Sequence, residues 1–209
     1  MRRQLAIAAI LLLTAAPALA DEPLRIERVD AGTLALLRDD PAPATIWLSD
    51  DPMRDAGDLL LAEGDASARR EFASAASLRH YVILVAADGS EQVVSERVLP
   101  LEQGSNFRDI GGYATRDGRV VRWGRAFRSG AMPLLTEADY ALLGQLEIGA
   151  VVDFRSLEER EVAADQLDDR TGALFLSNDY SLRPLMANSR SNGGENMYAG
   201  MESLLRPQF

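Results

Sequence analysis

Apolar residues recur in short runs between residues 24 and 101, and turn-forming residues separate the runs. The run at 81–85, the turn Ala87-Asp88-Gly89-Ser90 and the valines at 93 and 94 together have the pattern of a β-hairpin. Short runs at this spacing predict roughly six or seven strands.

The pattern changes in the second half of the chain, where strand-like and helix-like segments alternate. Residues 119–123 and 125–128 predict two short strands. A helix is predicted to begin after Thr136, which would cap it together with Asp139, and to close at Gly149 in a left-handed conformation.

Two nearly all-apolar runs, at 150–154 and 174–176, predict strands that are covered on both faces. Ser156 is placed to cap an acidic helical turn that follows the first of them. The polar residues 178–196 predict either a mobile loop or a partly disordered insertion, and residues 195–205 predict a further helix with its apolar side chains on one side.

Together these patterns predict an α+β chain. Residues 21–101 are expected to form an immunoglobulin- or fibronectin type III-like β-sandwich. Residues 102–209 are expected to form an α/β domain, with the boundary near 100–105. Because only a few strands and helices follow that boundary, this second domain is expected to be incomplete.

The first 20 residues have the features of a signal peptide. Arg2 and Arg3 give a positive start, residues 5–13 are apolar, and Ala18-Leu19-Ala20 offers small residues for cleavage. The apolar run is too short for a comfortable membrane span. We therefore expect an exported protein, periplasmic or secreted, that begins at Asp21 after cleavage; an uncleaved anchor is the alternative.

Composition excludes several classes of partner and site. The formal net charge is −10, which repels nucleic acid and anionic lipid surfaces. The chain has no cysteine, so it has no disulfide and no thiolate metal site. His80 is the only histidine, it flanks a predicted strand, and the carboxylates show no ligand spacing, so we predict neither a metal site nor a cofactor.

Three polar motifs stand at intervals in the second half of the chain. They are Asn106-Phe107-Arg108-Asp109 followed by Gly111-Gly112-Tyr113, then Phe127-Arg128-Ser129-Gly130, and then Asp153-Phe154-Arg155-Ser156. The third motif ends a predicted buried strand, where α/β proteins place ligands. Asp153 and Arg155 alternate around Phe154, so both can face one side while the ring packs on the other.

In combination, these motifs and the stretch at 96–101 resemble the bacterial exported tyrosine phosphatase family. Its members are tyrosine, dual-specificity and lipid phosphatases similar to the secreted mycobacterial ones, and the resemblance covers about residues 100–205. It implies metal-free hydrolysis of phosphotyrosine, or of phosphoserine, phosphothreonine or phosphoinositide monoesters, through a cysteine nucleophile. The implied partner is a phosphorylated protein or phospholipid, and no cofactor is implied.

The resemblance also implies a His-Cys-x5-Arg loop, which a chain without cysteine cannot contain. We therefore expect an N-terminal fragment of a phosphatase that is inactive as it stands. The alternative from another class is a complete, non-catalytic exported binding protein that uses the β-sandwich for recognition. A metal hydrolase is disfavoured by the lack of ligand spacing.

The resemblance assigns residues that frame the active-site loop without acting as catalysts: Asn106, Arg108, Asp109, Arg128, Asp153 and Arg155. The alternative is that these are buried ion pairs that fix loop geometry and never touch substrate. Asp179, after the strand at 174–176, is the candidate general acid. It could equally be a solvated turn residue, and Asp165, Asp168 or Asp169 could be the proton donor instead.

Overall fold

The structure is a computed structural model that describes residues 22–75 and 77–181. The predicted signal peptide lies outside these residues, as do most of the polar segment predicted over 178–196 and the helix predicted over 195–205.

Seven antiparallel strands form two sheets in the described residues up to 101, which we call the first part of the chain. The three-stranded sheet has the order β1 (Leu24–Asp30), β2 (Thr33–Arg38), β5 (Arg69–Ala73). The four-stranded sheet has the order β4 (Leu59–Asp65), β3 (Ala44–Ser49), β6 (Tyr81–Ala86), β7 (Glu91–Ser95). The predicted hairpin is confirmed, because β6 and β7 pair antiparallel across the turn that the sequence indicates.

One hydrophobic cluster unites the two sheets. Leu34 and Leu36 of β2 and Ile46 of β3 are almost completely buried in it, together with Leu84 of β6. A residue from the second half of the chain, Trp123, belongs to the same cluster and is 5 % exposed. A side chain from beyond the predicted domain boundary therefore completes the core of the first part. The position of that boundary stays a prediction.

The described residues from 102 onward, which we call the second part, combine short strands with short helices. In chain order its elements are β8 (Arg108–Asp109), β9 (Phe127–Arg128), α1 (Glu137–Gly144), β10 (Ala150–Asp153), α2 (Leu157–Val162), α3 (Leu167–Thr171) and β11 (Leu174–Ser177). Strands β8 and β9 pair antiparallel, whereas β10 and β11 pair parallel. With its antiparallel and parallel sheets and few helices, the described chain has an α+β fold.

Both predicted helix caps are present. Thr136 accepts a hydrogen bond from the backbone N–H of Asp139, and the Asp139 carboxylate accepts one in return, which completes a capping box at α1. Ser156 and Glu159 form the same reciprocal pair at α2. These starts were predictable because a capping box satisfies the free amides of the first turn with residues three positions apart.

Helix α1 is shorter than the sequence pattern predicts. It ends at Gly144 with Gln145 as its C-cap, and Glu147 adopts a left-handed conformation with φ of 48°. The predicted closure at Gly149 is therefore wrong. A non-glycine residue takes this conformation in place of the glycine that normally ends a helix.

Residues 119–123 form no strand, contrary to the prediction, but only an isolated bridge between Ala114 and Val120. Trp123 packs instead into the core of the two sheets. A Cβ atom on Gly111 would lie 2.5 Å from the Cα of Trp123, so only glycine permits this approach.

The parallel pair β10–β11 is covered less completely than predicted. Both strands form where the sequence indicates, but Val152, Leu174 and Leu176 are 40 %, 61 % and 39 % exposed. A second hydrophobic cluster lies on the other side of the pair, where Val151 packs against residues that include Leu143 and Leu167. Among residues 22–75 and 77–181, no helix is long and apolar enough to cross a membrane.

Candidate functional site

A cleft with a volume of about 870 Å³ lies where the two parts of the chain meet. The first part contributes residues 50–53 and Tyr81 to its walls. The second part contributes residues 124–129, which contain β9, and residues 145–152, which lead into β10. A cleft of this size is within the range of small-molecule and peptide side-chain sites.

Asp109 is fully buried next to this cleft and accepts hydrogen bonds from three parts of the chain. Its Oδ1 accepts from the backbone N–H of Gly111 at 2.7 Å, and its Oδ2 accepts from that of Gly124 at 2.7 Å. Oδ2 also forms an ion pair with Arg79 of the first part. Asp109 thus fixes the ends of the segment 111–124, as a buried ion pair that sets loop geometry would.

Arg79 was not singled out by the sequence analysis. Its guanidinium lies over the rings of Tyr81, at 5.0 Å, and Phe127, at 5.3 Å. Its side chain is 5 % exposed, and its Nε and Nη1 have no hydrogen-bond partner among the described residues. No local sequence signal pairs this arginine with Asp109, which lies 30 residues further along the chain.

Arg97 makes a second connection between the two parts. Its Nη1 donates to the backbone carbonyl of Asp109 at 2.8 Å, and its guanidinium stacks on the rings of Tyr113 and Trp123. Its Nη2 pairs with Glu22 at 2.5 Å. Two arginines of the first part therefore hold Asp109 of the first polar motif: Arg97 binds its backbone carbonyl, and Arg79 binds its carboxylate.

Arg108 and Arg128 are directly opposite each other in the β8–β9 pair. The Arg108 guanidinium donates to the Oδ1 of Asn106, which adopts a left-handed conformation with φ of 55°. The Arg128 side chain is exposed, lines the cleft, and makes no hydrogen bond or ion pair with another side chain or with the backbone among the described residues. The sequence alone left open that the frame residues form buried ion pairs. Arg128 does not, because its side chain is exposed and has no ion-pair partner among the described residues.

Asp153 and Arg155 form a bidentate pair at the carboxyl end of β10. Arg155 Nε lies 3.0 and 3.1 Å from the two carboxylate oxygens, and its Nη2 lies 2.6 Å from Oδ2. Their predicted placement on one side is confirmed. Phe154, however, is 40 % exposed and lines the cleft instead of packing into the core.

Burial alone raises the pKa of Asp153, but the hydrogen bonds from Arg155 outweigh burial and hold the pKa below its ordinary value. Arg155 also donates from Nη1 to the backbone carbonyl of Ala163 at 2.6 Å. The pair therefore ties the end of β10 to the end of α2, and Asp153 is a charged acceptor near neutral pH rather than a proton donor.

Asp179, the candidate general acid, is 73 % exposed and forms an ion pair with Arg160. Arg160 also donates to the hydroxyl of Ser177, the residue that pairs with Asp153 between β11 and β10. The structure thus gathers Asp153, Arg155 and Asp179 at the carboxyl ends of the two parallel strands. The predicted residues of the first two motifs lie elsewhere: Arg108 and Asp109 form β8, Arg128 ends β9, and Asn106 lies two residues before β8.

The alternative proton donors differ in their surroundings. Burial raises the pKa of Asp165, and the hydrogen bond that its carboxylate accepts from the Leu167 amide opposes that effect. Asp168 and Asp169 lie in the first turn of α3. Within residues 22–75 and 77–181, no group of three or more histidine, aspartate or glutamate side chains could hold a metal ion.

Comparison with known proteins finds a family that matches the second part of the chain. The model of the tyrosine phosphatase family matches residues 99–206. A protein of Cupriavidus necator named "Putative tyrosine-protein phosphatase" is 34 % identical over 130 residues, which are 61 % of this chain and 48 % of that protein. The chain therefore spans about half the length of the relative that it matches.

Proposed function

The chain belongs to the tyrosine phosphatase family, and on that premise we propose that it binds phosphate monoesters in the cleft between its two parts. The substrate classes that we propose are phosphotyrosine and, as alternatives, phosphoserine, phosphothreonine or phosphoinositide esters. The proposed chemistry is attack on phosphorus by a cysteine thiolate.

The 209 residues contain no cysteine, so we propose that they recognise the ester without hydrolysing it. A thiolate is the nucleophile of this family's proposed chemistry, and a chain without cysteine does not supply one. The expectation of a phosphatase fragment stays a prediction. The gene sequence downstream of the Phe209 codon tests this prediction, which requires a cysteine-containing loop in the same reading frame.

The observation that best supports phosphate binding is the opposition of Arg108 and Arg128. Like charges directly opposite each other on paired strands repel and destabilise the pair. Asn106 binds the first guanidinium, whereas the second stands in the cleft without a partner among the described residues. An arginine guanidinium donates two parallel hydrogen bonds to a phosphoryl group, and that anion would offset the repulsion.

Arg125 adds a second cation to the same wall. It is exposed, lines the cleft three residues before Arg128, and has no ion-pair partner among the described residues. We propose that these two arginines contact the phosphoryl oxygens. Asp109 would position the segment 111–124 and would not touch the phosphoryl group, because its carboxylate is fully buried and already accepts three hydrogen bonds.

For the cysteine-dependent reaction of a protein that contains the missing loop, we propose Asp179 as the proton donor and Asp165 as its competitor. A general acid must be protonated at the operating pH and must reach the leaving oxygen. The raised pKa of Asp165 favours its protonated form, whereas the Asp179 carboxylate is bound by Arg160. Asp153 is assigned a framing role with Arg155, consistent with its lowered pKa.

Binding and turnover measurements on the purified chain test the proposal. We expect saturable binding of phosphotyrosine peptide by calorimetry and no hydrolysis of p-nitrophenyl phosphate above background. Arg128→Gln should weaken binding at least about tenfold, the equivalent of ~1.4 kcal/mol. Arg116→Gln, an equal charge change at an exposed residue outside the cleft, should leave binding unchanged. Hydrolysis by the cysteine-free chain, or equal binding by Arg128→Gln, would contradict the proposal.

We further propose that the first part is an immunoglobulin- or fibronectin type III-like β-sandwich. The division of its seven antiparallel strands into sheets of three and four, with one core shared by both, supports this assignment. In the proposed function this part acts as a support for the phosphatase segment and as one wall of the cleft.

Export is also a proposal, supported by the charged start, apolar run and small-residue site of residues 1–20. Intact-mass measurement of the periplasmic or secreted protein should give the mass of a chain that begins at Asp21. A membrane-bound product that retains Met1 would contradict it.

A further inference from the structure

The two parts of the chain line the cleft with opposite charges. The second part supplies Arg125 and Arg128, whereas the first part supplies Asp50 and Asp51 from the turn that follows β3. All four residues are exposed. The second part therefore lines the cleft with cations, and the first part lines it with carboxylates.

The turn at residues 49–53 holds the carboxylates at the cleft. The backbone N–H of Met53 donates to Asp51 Oδ1 at 2.6 Å, and the backbone N–H of Asp51 donates to the hydroxyl of Ser49 at 3.2 Å. Neither Asp50 nor Asp51 forms an ion pair within the described part of the chain. Both carboxylates are thus available to a cation of a ligand.

The cleft also offers apolar surface. Met53 is 71 % exposed at its edge, and Phe127, Met132 and Phe154 line it from the second part. A volume of about 870 Å³ exceeds the space that a phosphoryl group alone requires. A phosphorylated side chain together with a neighbouring residue fits this combination of size and polarity.

The same charges disfavour a phospholipid bilayer. The chain carries a formal net charge of −10, and anionic lipid surfaces attract basic, not acidic, segments. Asp50 and Asp51 would face such a surface directly. A peptide that carries a phosphoryl group and a basic side chain instead complements both sets of charges, and charge complementarity of this kind determines the choice of partner.

We infer that the cleft selects phosphopeptides in which a lysine or arginine lies close to the phosphorylated residue, with Asp50 and Asp51 binding the basic side chain. This inference rests on the proposed function, since Arg125 and Arg128 must bind the phosphoryl group for the two aspartates to read its neighbour. The first part of the chain then determines specificity for a site in the second.

Fluorescence anisotropy with the full 209-residue chain tests the inference. Two labelled phosphotyrosine peptides are compared. One carries lysine and arginine beside the phosphotyrosine, and the other carries glutamate at the same positions. We expect the basic phosphopeptide to bind at least about tenfold more tightly at low salt and the difference to shrink as salt screens the exposed charges. The unphosphorylated basic peptide should bind more weakly than its phosphorylated form.

The double variant Asp50→Asn/Asp51→Asn should abolish the preference while it retains binding of the glutamate-flanked phosphopeptide. The matched control Asp55→Asn/Asp58→Asn changes charge equally on the same loop but outside the cleft, and it should keep the preference. Equal affinity of the wild-type chain for the two phosphopeptides would overturn this inference and leave the proposed function intact. Failure to bind either would overturn both. Tighter binding of phosphoinositide vesicles than of any peptide would also overturn the inference.

Discussion

Arg79 and Asp109 form an ion pair that is almost completely shielded from solvent, with side-chain exposures of 5 % and 0 %. Arg79 precedes β6 in the first part of the chain, whereas Asp109 ends β8 in the second. Because Asp109 also holds the amides of Gly111 and Gly124, this pair connects the sheets of the first part to the loop that leads into the cleft.

Removal of Arg79 should therefore destabilise the whole chain. Arg79→Met leaves a buried carboxylate without its cation, and breaking a buried ion pair in this way typically costs about 3–5 kcal/mol. Urea denaturation should show this loss of unfolding free energy. Arg119→Met, which breaks the exposed pair with Asp117, is the matched control and should cause no comparable loss. Equal denaturation midpoints for the Arg79→Met variant and the wild type would refute the structural role.

Trp123 should contribute to the stability of the first part although it lies in the second. It is buried in the core shared by the two sheets, and truncation of a buried tryptophan typically costs about 3–5 kcal/mol. Trp123→Ala should lower the unfolding free energy by this amount in urea denaturation. Trp47→Ala, at a half-buried position on β3, should cost less. A larger loss for Trp47→Ala would show that Trp123 is peripheral.

The stability that Asp139 provides should depend on pH. Burial raises the pKa of Asp139, but hydrogen bonds from the backbone amides of Thr136, Glu102 and Gln103 outweigh burial and hold the pKa below its ordinary value. A lowered pKa in the folded state means that the stabilisation is complete above the unfolded-state pKa, near 3.8, and is lost as the pH falls through the folded-state value.

Asp139→Asn should therefore reduce the unfolding free energy at pH 7 by about 1.5–3 kcal/mol, the usual contribution of a hydrogen bond to a charged group. The difference between variant and wild type should narrow below the ordinary aspartate pKa. Urea titrations at pH 7 and at pH 3 measure it, and a difference that stays constant between those two values would contradict the charged cap.

Asp153 and Asp165 should titrate on opposite sides of the ordinary aspartate value. NMR titration of side-chain carboxyl carbons should place the pKa of Asp153 below it and that of Asp165 above it. Arg155→Gln should raise both, because Arg155 lowers the pKa of each carboxyl. Asp117, whose pKa is lowered by Arg119, is the internal control and should not move. An Asp165 that titrates below Asp153 would remove it as a candidate proton donor.

Features within a few residues of one another were predictable from the chain alone. The hairpin of β6 and β7, the capping boxes at Thr136 and Ser156, and the ion pair of Asp153 with Arg155 all follow from short-range spacing. In each case the interacting groups are brought together by the geometry of one turn or one strand, so no distant contact is needed. The three polar motifs at 106–113, 127–130 and 153–156 likewise indicated the family in combination.

The tertiary structure alone decided which distant residues meet. Trp123 lies in the core of the first part, where removal of its ring from water is favourable, and no local pattern indicated that contact. The partners of Asp109 and the opposition of Arg108 to Arg128 likewise depend on packing between segments that are separated along the chain. Local spacing therefore determined the elements and the candidate residues. Long-range burial and charge pairing determined that Asp109 supports the loop while Arg128 faces the cleft.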